Sequence, residues 1–312
     1  MPEDWLVVAL RFGLYVALTV PFGVAFFGIH AMQPDDRNST LARRYVCVVG
    51  FATALGIVLS LVSMVVMAKA MAGVDTYAEL TAHVFDMILT ATPVGLSWTV
   101  RVVALFAVLA AIALLRTRPA LRFGALSILG AIALATLAWT GHGAMSDGAL
   151  GALHLASDIA HLLAAGAWVG ALFAFVVLSI HARGPSPATA THAALLGRTA
   201  DGFARVGTMI VVTLTLTGLL NYGLIVGPTV DGLLTTAYGR LLVAKLALFA
   251  GMLALAAANR YRLSPRLALA LQNGDHAAAV TTLRRSLTTE TSLALAVLAL
   301  VSWLGALSPP GA

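Results

Sequence analysis

Apolar runs of about twenty residues recur along the whole chain, separated by short polar breaks. Each is long enough to cross a hydrocarbon layer roughly 30 Å thick as an α-helix. Read between the breaks, the pattern predicts helices at 5–30, 43–72, 92–115, 120–140, 151–181, 203–226, 239–259 and 286–307. Segment 74–90 is too polar to span. Asp75, Glu79, His83 and Asp86 recur there at roughly helical spacing, with Tyr77, Leu80, Val84 and Ile88 elsewhere around the helix. That pattern predicts an amphipathic helix lying on the membrane surface. The expected fold is an all-α membrane protein, one transmembrane domain over 1–312 with a bundle of about eight spans.

Composition agrees with that reading. Hydrophobic residues make up 60% of the chain and charged residues 10%, and the mean hydropathy is +0.94. Soluble domains are about one-quarter charged. A net charge of +6 could suggest nucleic acid, but the basic residues sit in short connections rather than in one stripe with interleaved aromatics. No nucleic-acid partner is expected. The single cysteine, Cys47, excludes a disulfide framework or a CxxC pair and reads as a helix-packing residue. The opening Met1-Pro2-Glu3-Asp4-Trp5 lacks the basic region of a cleavable signal, so the first helix is expected to be retained.

The basic residues vote on orientation. The first, third, fifth and seventh connections carry Arg37, Arg43 and Arg44; Arg116, Arg118 and Arg122; Arg183, Arg198 and Arg205; and Arg260, Arg262, Arg266, Arg284 and Arg285. The others hold only Lys69 and Arg240, both at helix ends. By the positive-inside rule the odd connections are cytoplasmic and both termini periplasmic. The third helix opens Thr92-x2-Gly95, reaches Arg101 and ends at Arg116, and the seventh repeats the spacing with Thr236, Gly239, Lys245 and Arg260. The constant offset suggests a parallel 4+4 repeat with halves 1–140 and 141–312. Arg101 and Lys245 lie about two turns inside their helices, where each would snorkel outward or pair with Asp158.

The most informative chemistry lies on the fifth helix. His154, Asp158, His161 and Trp168 follow at separations of four, three and seven residues, which places all four on one stripe. His161 lies about 10 Å deeper than His154, so those two cannot share one ion on a straight helix, whereas adjacent pairs can. Ionisable residues inside a membrane mark pathways, although a hydrogen-bonded pair that only fixes packing would look the same. Upstream, Gly141-His142-Gly143-Ala144-Met145 adds an imidazole and a thioether at the mouth of the stripe. On the second helix Met64, Met67 and Met71 define one face at overlapping depth, for which apolar gap-filling is the plainer reading. Thioether with imidazole suits copper, Cu(I) especially, far better than calcium or magnesium. His83, Asp86 and Met87 on the surface segment could deliver ions, and His30, His181, His192 and Cys47 are scattered near the other face.

These residues resemble the CopD (copper resistance protein D) family of bacterial inner-membrane proteins. The resemblance rests on Gly141-His142-Gly143, on the run from His154 through Asp158 and His161 to Trp168 and Gly170, on Thr236-Ala-Tyr-Gly-Arg240-Leu-Leu-Val-Ala-Lys245, and on Asn259-Arg260-Tyr261-Arg262. It implies an eight-helix inner-membrane protein that moves copper from periplasm to cytoplasm beside a separate periplasmic CopC-like protein. It carries His142, His154 and His161 over as functional positions; the methionine face is read from this sequence alone.

The leading expectation is copper transport, with copper ion captured at His142, Met145 and His154 and passed to Asp158 and His161. No P-loop, nucleophile elbow or HExxH motif supports an ATP-driven pump or a hydrolase, and no enzyme is expected. Two alternatives stay open: a b-type haem electron-transfer protein or cupric reductase with intramembrane histidine ligands, and a non-transporting copper sensor or scaffold. Oligomeric state is not readable.

Overall fold

Helices form where the apolar runs are, because a backbone in lipid must satisfy its own hydrogen bonds. The computed structural model describes residues 2–140, 148–182, 187–227, 232–273 and 277–307. In chain order the helices are α1 (Pro2–His30), α2 (Thr40–Ala72), α3 (Ala82–Ala91), α4 (Pro93–Leu114), α5 (Pro119–Ala135), α6 (Gly148–His181), α7 (Pro187–Ile225), α8 (Ala237–Ala258), α9 (Ser264–Gln272) and α10 (Ala277–Leu304). α5 runs on as a 3-10 turn over Thr136–Thr140, and a π-helical turn over Asn259–Leu263 joins α8 to α9. Eight of these segments are long and apolar enough to cross a membrane, and the described residues form no strand. The protein is a multi-pass helical membrane protein. Trp5 and Trp303 approach to 5.1 Å between ring centroids, so α1 begins and α10 ends at the same end of the bundle, as an even number of spans requires.

The predicted spans coincide with the helices except at two starts. α7 begins at Pro187 rather than near 203, and α10 at Ala277 rather than near 286. Hydropathy detects only the apolar stretch, whereas alanine-rich polar extensions such as Ala277-Ala278-Ala279 continue the helix beyond it. The 74–90 segment divides. Thr76 donates to Glu79 (2.6 Å) around a short 3-10 turn, the chain extends at Leu80 and Thr81, and only Ala82–Ala91 is α-helical.

α1 and α6 are the most buried spans, and they pack on each other. The close approach depends on glycine: a Cβ on Gly23 would run into the backbone of Gly166 and Gly170. Gly166 and Gly170 form a GxxxG pair, the spacing that lets helix backbones come together in lipid. Around this pair α2 and α5 pack on α1, α7 and α10 pack on α6, and α4 pairs with α5 as α8 does with α10. The outer faces of the helices carry exposed Phe51, Val103, Leu114, Ile128 and Leu216, as a lipid-facing surface does. Cys47 lies on that exposed surface, so it is not the packing residue expected from sequence.

α4 and α8 begin with the same local device. Thr92 Oγ1 donates to Ile88 O (2.7 Å) and accepts from Gly95 N (3.0 Å); Thr236 Oγ1 donates to Gly232 O (2.7 Å) and accepts from Gly239 N (3.0 Å). These N-caps start α4 and α8 with the same geometry. The packing of these two helices differs. α2 packs along α4, but α7 and α8 barely touch among the described residues. Three cavities among the described residues are lined from both sides of that gap.

Candidate functional site

The stripe on α6 faces the packed interior at its upper end and the α7–α8 gap below. His154 is only 2% exposed, and neither of its ring nitrogens has a hydrogen-bond partner among the described residues. Burying an imidazole in that way costs about 1–3 kcal/mol. Both ring nitrogens of His154 are chemically able to act as donors to an ion or to accept or give a hydrogen bond.

One turn deeper, Asp158 Oδ1 accepts from Asn221 Nδ2 of α7 at 2.7 Å. The amide oxygen of Asn221 is itself buried without a donor among the described residues. His161 Nδ1 lies 2.8 Å from Thr217 Oγ1, and that hydroxyl donates to Thr213 O at 2.6 Å. A hydroxyl has one proton to give, so when Thr217 donates to Thr213 O, His161 donates from Nδ1 and keeps its lone pair on Nε2. Metal-binding histidines are oriented in this way, with one ring nitrogen fixed by an oxygen and the other left to the ion.

Asp158 and His161 line a cavity of about 170 Å³ between α1, α6, α7, α8 and α10, together with Asn221, Tyr222, Tyr238 and Lys245. Lys245 lies within electrostatic range of both Asp158 and His161. A second cavity, about 250 Å³, shares His161 and Lys245 with the first and reaches Trp168. A third, about 320 Å³, shares Trp168 and ends at Asn259, Arg260 and Glu290. The indole of Trp168 donates to Glu290 Oε1 at 2.8 Å. The cavities therefore succeed one another along α6, from Asp158 to the basic end of the bundle.

The other predicted residues are distributed differently. Met64 and Met67 line a separate cavity of about 270 Å³ with Tyr15, Trp98 and Arg101, whereas Met71 is 54% exposed on the outside. Arg11 and Tyr15 line both this cavity and the Asp158 cavity. Arg101 does not snorkel: it is 3% exposed, and its Nε donates to Thr136 Oγ1 at 2.8 Å. His83, Asp86 and Met87 are exposed on α3. At the basic end His181 meets Arg44, and its ring lies 6.1 Å from that of His192. His142 and Met145 lie outside the described residues. Among those described, no three His, Cys, Asp or Glu side chains converge as a metal cluster. The α6 residues are spaced along the helix rather than gathered into one chelate.

Sequence reading missed Asn221, Thr217, Tyr222, Tyr238 and Glu290. Thr217, Asn221 and Tyr222 are polar positions within the α7 span, Tyr238 lies in the first turn of α8, and Glu290, the lone acid of α10, sits in the polar stretch Thr288-Thr289-Glu290-Thr291-Ser292; an acid within a span is the signal that could have found it.

Residues 1–152 match the family described as "Copper resistance protein D-like, N-terminal domain", and residues 197–304 match "Copper resistance protein D". Copper resistance protein D of Pseudomonas syringae pv. tomato is 41% identical over 98% of both chains. This chain belongs to the copper resistance protein D family. The inner membrane protein YebZ of Escherichia coli (strain K12) is 28% identical over 97% of this chain and 98% of its own length. The copper transport protein CutJ of Bacillus subtilis (strain 168) is 31% identical over 78% of this chain, which corresponds to 44% of CutJ. No solved structure matches. Family membership gives the protein a copper-related membrane function, and the α6 stripe falls between the two matched family segments, on the helix that joins them.

Proposed function

We propose that the protein moves copper across the bacterial inner membrane, from periplasm to cytoplasm, through the α6 stations and the cavities beside them. Copper is captured at the end of the bundle where both chain termini lie, by His154 with His142 and Met145 of the preceding connection. It passes to Asp158 and His161 and leaves toward the Arg260 end. The positive-inside distribution of arginines puts the capture end in the periplasm and the Arg260 end in the cytoplasm. A periplasmic CopC-like protein is the fitting donor.

The observation that carries this reading is the buried, unpartnered imidazole of His154, standing above an oriented His161 on the same helix face. Imidazole donors without a hard-oxygen cage suit copper. The helices α7, α8 and α10 carry no histidine facing His161 at its depth, and a bis-histidine haem needs one on an opposing helix. Transport, rather than an enzymatic reaction on copper, uses every feature of the stripe.

Cells expressing Asp158→Ala or His161→Ala are expected to accumulate copper at the level of cells without the protein, while equal amounts of wild type raise it. Accumulation equal to wild type in both variants at matched protein levels would remove the α6 pathway.

A further inference from the structure

Glu290 is an acid placed where lipid-spanning helices rarely tolerate one. It is 2% exposed in the middle of α10, and two other segments hydrogen-bond to it. Trp168 of α6 donates to Oε1 at 2.8 Å, and Asn259 Nδ2, from the first residue of the π-helical turn, donates to Oε2 at 2.9 Å. π-helical turns recur at functional sites because they re-aim a side chain out of the regular helical register. Here the turn delivers an amide to a carboxylate.

The pair has one acceptor too many. Asn259 Oδ1 is buried with no hydrogen-bond partner among the described residues. A proton on Glu290 gives that oxygen a partner once the amide turns over. With Nδ2 toward Glu290 the amide donates to the ionised carboxylate; turned over, it offers Oδ1 to the O–H of the protonated acid. The site accommodates both protonation states without moving a helix. The same arrangement stands at Asp158, where Asn221 donates with its amide nitrogen and leaves its oxygen unpartnered. Trp168 follows Asp158 by ten residues on α6, so the two Asn–carboxylate pairs lie about 15 Å apart along the helix, at the two ends of the cavity series.

The other charged or titratable groups near Glu290 are few. Arg260 and Tyr261 line its cavity, and Arg260 is held by Thr208 Oγ1 (2.7 Å) and Ala204 O (3.3 Å) of α7. From α6 only Trp168 reaches it, and α1 meets α10 through Arg11 at Gly305, several turns away. From α9 the charged residue is the exposed Arg266, and α10 itself adds Arg284 and Arg285 one to two turns earlier. No second acid lines the cavity.

We infer that Glu290 is a proton-exchange site of the conduit: it holds a proton while the conduit is empty and releases it as a cation passes, so that copper moves one way and protons the other. Each exchange converts carboxyl and water to carboxylate and hydronium, and reprotonation at the Arg260 end reverses it. This rests on the transport reading above, and its test separates the two.

The full-length protein is reconstituted in vesicles holding a pH-sensitive dye, with Cu(I) supplied on one side, and copper and proton movement are recorded together. Wild type is expected to move protons against copper. Glu290→Gln, which keeps both hydrogen bonds in reach, is expected to lose the proton movement while binding as much copper as wild type; Glu290→Asp retains coupling. Protons per copper unchanged in Glu290→Gln would overturn the inference. If wild type carries no copper, the transport reading fails, and the proton site is then judged by infrared spectroscopy of the same vesicles. A pH-dependent carboxyl carbonyl band that disappears in Glu290→Gln supports it, and no such band at any pH refutes it.

Discussion

Gly23→Leu is expected to yield little folded protein, and what is recovered should unfold at a much lower temperature than wild type in the same detergent. The contact that forbids a side chain there is made by the backbone of Gly166 and Gly170, not by the flexible end of a neighbouring residue. Backbone cannot rotate aside, so α1 and α6 must separate along their most buried stretch. Overpacking of a well-filled interior costs about 1–3 kcal/mol and sometimes more, and this site belongs at the upper end because every other span packs around the α1–α6 pair. Gly124→Ala in α5 is the control. Nothing lies within 4 Å of its added Cβ, and replacing a mid-helix glycine by alanine gains roughly 0.5–1 kcal/mol. Equal unfolding temperatures for Gly23→Leu and wild type would mean that the α1–α6 contact does not organise the bundle.

His154→Leu is expected to separate stability from function. In a packing role, a buried histidine would be held by hydrogen bonds, and its removal would loosen the protein. His154 has none among the described residues. Replacing it with an apolar side chain of similar size relieves about 1–3 kcal/mol of unsatisfied polarity and forfeits only minor packing. The copper-free variant should therefore unfold at or above the wild-type temperature. Its copper affinity should fall by about tenfold or more, since a lost ligand-sphere interaction costs at least 10–100-fold. Thermal unfolding without copper and equilibrium copper binding, measured on one preparation, decide the matter. A destabilised variant that binds copper normally would assign His154 to packing.

Legibility from sequence followed the range of the interactions involved. The spans were readable because lipid imposes length and hydropathy on each helix separately, and the α6 stripe was readable because its spacing is local to one helix. The Thr92 and Thr236 caps likewise repeat within a few residues. Contacts between helices were not readable. Nothing local says that Asn221 of α7 meets Asp158, that Asn259 and Trp168 meet Glu290, or that Arg101 ends on Thr136. The methionines of α2 show the limit well. Their spacing put Met64, Met67 and Met71 on one face, but a helix face is wider than a site, and the bundle turns Met71 outward while Met64 and Met67 enter a cavity lined by Arg101. The gap between α7 and α8 was unreadable for the same reason, since whether two helices pack together is not written in the local motif that starts either of them.

The proposed route takes copper across the bilayer beside α6. Purified protein in sealed vesicles, with Cu(I) added on one side only, tests it most directly by the copper that appears inside over time. Wild type is expected to carry copper well above empty vesicles, and a double variant, Asp158→Asn with His161→Ala, to match the empty ones. Copper entry by that double variant at the wild-type rate would contradict the account.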